Sequence, residues 1–203
     1  IVSVGGGSHS GRSMRHAGTV MLMTSQDLIE EGRRRAAELF DMPMEQVEFD
    51  EGQFLIPDTN HVISLVELAE SDPENPLSAA KTNEMHDPVF PNGTASCEVE
   101  IDPETGHTTI TRYTTVDDVG RCINPMIVHG QTHGGIAQGV GQAMWEECYV
   151  EPDSGQPLCG SFMDYGMPRA HTLPSFKTEI AEVHSPTNPL GIKAGGEGGT
   201  TPA

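Results

Sequence analysis

Apolar residues near the start of the chain recur at the period of a helix. Leu28, Ile29, Ala36, Leu39 and Phe40 fall at near-helical spacing, with Thr24 or Ser25 as candidate N-caps and Pro43 as the interruption. Between residues 46 and 56 the period shortens to two on either side of Glu51-Gly52, which predicts a short hairpin. Residues 64–69 suit a turn or two of helix, and 71–93, rich in Pro, Asn and Asp, suit a long surface connection. Alternation returns at 95–101 and 107–116, around Asp102-Pro103-Glu104-Thr105-Gly106, and predicts a second hairpin. Asn124-Pro125 can then cap and open a helix over about 126–147, and 176–183 reads as a further strand. The first segment, 2–13, begins apolar and passes into GGGSHSGRS, which has no period at all.

Strands and helices in this order predict an α+β fold, with mixed sheets packed by helices. Residues 1–93 would be the end of one lobe plus a connection, and 94–203 most of a second lobe, cut short at its C-terminus. The long helix is unusual. It carries Gly130, Gly134, Gly135, Gly139 and Gly141, each costing about 1 kcal/mol relative to Ala in a helix interior. Such a helix implies close backbone approach to a neighbouring helix or to a bound cofactor.

Composition narrows the partners. The 203 residues include 30 acidic and 11 basic side chains, for a formal net charge of −19. Binding to nucleic acid or to an anionic membrane needs clustered Lys and Arg. The one dense cluster, Arg33 to Arg35, follows Glu30 and Glu31 and reads as a solvated helix face. No apolar run approaches the roughly 20 residues that span a bilayer. Cys97, Cys122, Cys148 and Cys159 form no CxxC pair, so they read as reduced thiols in a cytoplasmic protein rather than as a zinc or iron–sulfur site. The chain starts at Ile1 in mid-pattern and stops just after a glycine-rich turn, so both ends read as cut.

Among residues able to carry chemistry, Glu197 is the most informative. Two glycines flank it on each side, leaving bare backbone that a ligand can approach closely; a solvated turn would look the same locally. The stretch Ser8 to Ser13 offers hydroxyls, N–H groups and a guanidinium suited to a phosphate-bearing ligand, but it matches neither a P-loop nor GxGxxG. His129 and His133 stand at i, i+4, the spacing of a metal-binding pair, without the intervening acid of HExxH. Asp117 and Asp118 at a strand end are more often turn chemistry than an acid/base pair.

Four stretches in order make the chain resemble the C-terminal part of the large, molybdopterin-binding subunit of the molybdenum hydroxylases. These are the xanthine dehydrogenase/aldehyde oxidase family, and the likeness is to its carbon monoxide dehydrogenase-like branch. The stretches are GGGSHSGRSM (5–14), EVEIDPETGHTTITRYTTVDDVGRCINPMIVHGQTHGGIAQGVGQAMWEE (98–147), GSFMDYGMPRA (160–170) and SPTNPLGIKAGGEGG (185–199). The resemblance implies a molybdopterin cofactor, in its cytosine dinucleotide form, whose dithiolene holds the molybdenum without any side-chain ligand. It implies Glu197 as the catalytic base beside the metal and Gln138 as a contact to the metal-ligand or pterin region. Ser10, Gly11, Arg12 and Ser13 would line the dinucleotide, and Gly135 and Gly139 would approach the cofactor. Two stretches depart from the family's habit: Gly11-Arg12-Ser13 stands where Ser-Arg-Ser is common, and Gly-Gly-Glu-Gly-Gly where Val-Gly-Glu-Ala-Gly is usual.

The same resemblance implies oxidation of carbon monoxide, an aldehyde or an N-heterocycle with water-derived oxygen. It also implies separate iron–sulfur and FAD subunits, in a dimer of heterotrimers, to carry the electrons away. A cytoplasmic location goes with it. The competing reading is a non-catalytic module that holds a nucleotide-like cofactor. A hydrolase built on His133 with Asp117 or Asp118 ranks last, because no nucleophile motif accompanies them.

Overall fold

The computed structural model describes residues 7–9, 11–196, 198 and 202–203. The chain divides into two compact units, one formed by residues up to Arg15 together with His86–Ala203 and the other by His16–Met85. The first stretch thus groups with the later part of the chain.

The smaller unit holds helix α1 (Thr19–Phe40), a sheet of β1 (Glu48–Asp50), β2 (Gln53–Leu55) and β3 (Val62–Ser64), and helix α2 (Leu65–Glu70). The expected hairpin pairs β1 with β2, and Glu51 (φ 43°) and Gly52 (φ 83°) make its two-residue turn with both φ positive. Ser64 and Glu67 form a reciprocal capping box on α2. Two expectations are corrected. Helix α1 starts upstream of Thr24 and Ser25, which lie inside it, because it continues directly from π-helical turns at Ser13–Gly18. Nor are all three arginines a solvated face. Arg33 donates to the carbonyls of Val47 (2.7 Å) and Met44 (3.3 Å), and Arg35 to that of Asn75 (2.6 Å), because these irregular carbonyls need donors. The core is Ala36, Ala37, Val47, Phe54, Ile56 and Leu68.

The larger unit is built on β4 (Asn92–Ile101), β5 (Thr108–Asp118) and β6 (Phe176–Ala181), with helix α3 (Pro125–Met144) between β5 and β6. Strands β4 and β5 pair antiparallel around the expected turn, where Asp102 accepts from Glu104 N–H and the Thr105 hydroxyl, both at 2.8 Å. Strand β6 pairs parallel to β5, so the sheet is mixed, as the α+β reading requires. Asn124 caps α3 by accepting from Ile127 N–H at 3.2 Å, and Pro125 opens it. Ile136 and Val140 of α3 pack on Ile110 and Tyr113 of β5 and on Phe176 of β6.

The glycines of α3 do not share one face. Gly135 and Gly139 are buried, whereas a Cβ at Gly130 or Gly134 would meet nothing within 4 Å. What the buried side of α3 meets is the sheet, which presents Ile110, Tyr113 and Phe176 to it. Among the described residues no helix is long and apolar enough to cross a membrane.

Candidate functional site

Because β5 and β6 run parallel, their carboxyl ends lie on the same side, which is where ligands bind in parallel sheets. Beyond β5 the chain turns at Gly120 (φ 68°), and residues 119–121 become a ledge for the loop at 188–196. Gly120 bridges Ile192, Arg121 N–H donates to the Gly191 carbonyl (2.9 Å), and Lys193 N–H donates to that of Val119 (2.8 Å). Gly120 has to be glycine. Its φ is left-handed, and a Cβ there would fall 2.4 Å from the Gly191 oxygen. Asn188, 4% exposed, fixes the turn by accepting from Leu190 and Ile192 N–H on one side-chain oxygen.

One buried ion pair fastens this loop to the strand. The Asp118 carboxylate receives Gly120 N–H (2.9 Å) and Val183 N–H (3.2 Å) on Oδ1, and the Lys193 ammonium on Oδ2. Burial disfavours the carboxylate charge, but Lys193 and the two N–H groups together outweigh it and hold Asp118 below the usual carboxylate range. Its neighbour Asp117 accepts from Thr115 (3.2 Å) and Thr132 (3.3 Å), and Gly93 leaves it room.

Two recesses meet at Val119, Gly195 and Gly196. One, of about 470 Å³, is lined by Asn92, Gly93, Asp117, Thr132, Gly198 and their neighbours. The other is a largely apolar groove of about 240 Å³ between Gly11 and Met14, the start of α3 at Ile127 and Gln131, and Gly195-Gly196. Gly11 (φ 77°) comes so close to the loop that a Cβ on it would lie 3.3 Å from Ala194 Cα, and one on Gly195 would lie 2.9 Å from Val119 Cγ1.

The structure therefore brings together the first and last glycine-rich stretches, far apart in sequence, at the head of α3. Glu197 and Ser10 lie outside the described residues, although Gly196 and Gly198 on either side of Glu197 both line the larger recess. Arg12 and Ser13 are exposed beside Gly11, with Arg12 N–H donating to the His9 carbonyl (2.7 Å) and the Ser13 hydroxyl to that of Ser8 (2.5 Å). Gln138 is exposed on α3, and Gly135 and Gly139 are buried. One residue the sequence reading passed over is Gln131, seven residues before Gln138 on the same side of α3, whose side-chain amide donates to the Gly196 carbonyl at 3.4 Å. Lys193 was also missed, and it carried a signal: it is the sole Lys or Arg after Lys177. His129 and His133 both turn to the Thr178 hydroxyl (2.7 and 3.2 Å), and Phe176 stacks edge-on against His133.

Backbone-walled recesses with a few converging polar groups suit a bound organic cofactor. Among the described residues no group of three or more His, Cys, Asp or Glu could hold a metal ion.

A family model for the molybdopterin cofactor-binding domain matches residues 1–174. The chain belongs to this family. It is 36% identical, over 97% of its length, to 26% of the 6-hydroxypseudooxynicotine dehydrogenase complex subunit gamma of Paenarthrobacter nicotinovorans. It is 30% identical, over 94% of its length, to 24% of the carbon monoxide dehydrogenase large chain of Afipia carboxidovorans. Among solved structures, quinoline 2-oxidoreductase from Pseudomonas putida 86 superposes over 96% of this chain and 26% of its own, with a TM-score of 0.81 and 30% identity. The chain spans about a quarter of the length of the relatives it matches. The mixed α+β architecture is that of these molybdopterin-binding domains.

Proposed function

We propose that this molybdopterin-binding domain supplies one wall of the active site of a molybdenum hydroxylase, with Glu197 as its catalytic base. The observation that carries the reading is the position of Gly196 and Gly198, which line the larger recess on both sides of Glu197. When bound, the molybdenum cofactor, in its cytosine dinucleotide form, supplies the two-electron oxidation. Glu197 takes up on a carboxylate oxygen the proton released as water-derived oxygen attacks the substrate carbon. No side chain adjacent in sequence obstructs that approach. Gly11 sets the backbone against the loop, and Ser10, Arg12 and Ser13 beside it hold the dinucleotide end. Gln138 and the glycines at 135 and 139 contribute from α3; residues 1–93, the first of which group with the later part of the chain, and 94–203 would supply two cofactor-binding lobes.

The substrate is an electrophilic carbon, that of carbon monoxide, an aldehyde or an N-heterocycle. The names of the relatives span carbon monoxide dehydrogenase, abscisic-aldehyde oxidase and nicotine 6-hydroxylase, and they support that range. Iron–sulfur and FAD subunits receive the electrons in a cytoplasmic dimer of heterotrimers. In the complete enzyme, Glu197→Gln should keep its molybdenum while turnover falls at least ~10²-fold. Full cofactor with near-normal turnover would overturn the assignment.

A further inference from the structure

After α3 the chain forms a small hairpin that takes no part in the site above. Val150 and Pro157 are directly opposed, and the flanking bonds, Glu151 N–H to the Gln156 carbonyl (2.9 Å) and Leu158 N–H to that of Tyr149 (3.0 Å), define its register. The turn is held from within. Glu151 accepts from both the N–H and the hydroxyl of Ser154 at 2.6 Å, and Gly155 (φ 69°) donates back to the Glu151 carbonyl.

Because bonds flank the Val150–Pro157 pair without joining it, that pair is of the non-hydrogen-bonded kind. Pair type alternates along an antiparallel ladder. Leu158 N–H bonds the Tyr149 carbonyl, and the same register continued one step sets Cys148 opposite Cys159 in a non-hydrogen-bonded position. In a regular ladder, Cα atoms opposed in that way stand about 4.5 Å apart, inside the span of about 4.4–6.8 Å that a disulfide bridges. The side chains agree with the register: the Cys159 thiol donates to the Cys148 sulfur across 3.7 Å. Cys148 is exposed and Cys159 half-buried, so a small reagent has access. The other two cysteines sit elsewhere, Cys97 opposite Tyr113 on β4 and Cys122 beyond the end of β5.

We infer that Cys148 and Cys159 form a dithiol that closes reversibly to an intramolecular disulfide with a low-molecular-weight disulfide as oxidant. One cysteine thiolate attacks a sulfur of the small disulfide, forming a mixed disulfide and releasing one small thiol. The second cysteine, as thiolate, attacks the protein sulfur of that mixed disulfide, forms the Cys148–Cys159 bond and releases the second small thiol. Two electrons pass from the cysteine pair to the oxidant, and the two thiol protons end on the released thiols. Closing the bond ties the ends of the hairpin without moving its register.

The test is thiol counting and mass mapping on the protein exposed to oxidised glutathione after full reduction. Two of its four thiols should disappear together with a loss of two hydrogens in mass. After chymotryptic cleavage at Tyr149, the peptides that carry Cys148 and Cys159 should remain joined until a reductant is added. In Cys148→Ser the second step has no nucleophile, so a glutathione adduct should accumulate on Cys159 and no bridge should form; Cys159→Ser should give the mirror result. Four persisting thiols, separate adducts on both cysteines of the parent protein, or a bridge that includes Cys97 or Cys122 would each overturn the inference.

Discussion

Lys193→Met tests whether the ion pair beyond β5 fixes the glycine-rich loop. Met keeps most of the side-chain volume and removes the ammonium from Asp118. Breaking a buried pair by deleting one partner costs about 3–5 kcal/mol when the other charge is left bare. Here Asp118 keeps its bonds from Gly120 and Val183, and the two side chains retain 8% and 11% exposure. The expected loss therefore falls at or below the bottom of that range, about 2–3 kcal/mol. In a chain of this length that corresponds to a fall in Tm of roughly 4–12 °C. The single tryptophan, Trp145, packs against the core of the same unit, so its fluorescence during urea unfolding follows that unit. Asp118→Asn should cost about as much, and the double variant should fall short of the sum by at least ~1 kcal/mol, since the two groups act as a pair. A Lys193→Met protein within ~0.5 kcal/mol of the parent, or strict additivity, would refute the reasoning.

The same pair sets a pH dependence. Asp118 has a folded pKa below its unfolded value of about 3.9. Its stabilisation is complete above that unfolded value and is lost as pH falls through the lower, folded one. Other depressed carboxylates, Glu31 among them at about 2, steepen the acid loss of the parent. The informative quantity is the difference between parent and Asp118→Asn, which should shrink as the pH is lowered below about 4.

Two further outcomes follow from the packing. Gly120→Ala should destabilise by more than about 2 kcal/mol, combining left-handed strain with backbone collision; Gly120→Asn should do no better in urea unfolding, because the contact with the Gly191 oxygen remains. Tyr113 is 1% exposed and its buried hydroxyl meets no partner among the described residues, so Tyr113→Phe should leave the unfolding free energy unchanged or raise it by up to ~1 kcal/mol, and an equal loss would reveal a bond to that hydroxyl.

The elements were legible wherever local chemistry decides them. Asn124-Pro125, Ser64 with Glu67, Glu51-Gly52 and the Asp102 turn each satisfy or shape backbone within a few residues, so the sequence alone places them. What was not legible depends on distant partners. Arg33 reads as a surface charge until Val47 offers it a carbonyl, and the sequence offers no reason for Gly32 in α1, where Phe54 occupies the place a Cβ would take. Lys193 and Asp118 lie 75 residues apart, and nothing near either one announces the other. Glycine in α3 had two meanings at once, buried close packing at Gly135 and Gly139 and open space at Gly130 and Gly134, and spacing alone does not separate them.

The division of labour around the loop follows from these contacts. Gly191 and Lys193 are tied to the extension of β5 and Asn188 braces their turn from within, while Ala194 and Gly195 carry almost no side chain and lie close against Gly11 and Val119. With Glu197 as the proposed base, position and chemistry would be assigned to different residues, four apart at Lys193 and Glu197. If so, their variants should fail differently. Lys193→Met should lower stability and let the loop drift, lowering cofactor retention and turnover together. Glu197→Gln should leave unfolding and cofactor content alone and reduce turnover by itself. A Glu197→Gln protein that lost stability as Lys193→Met does would mean that the acid belongs to the scaffold, and the base would have to be sought elsewhere in the recess.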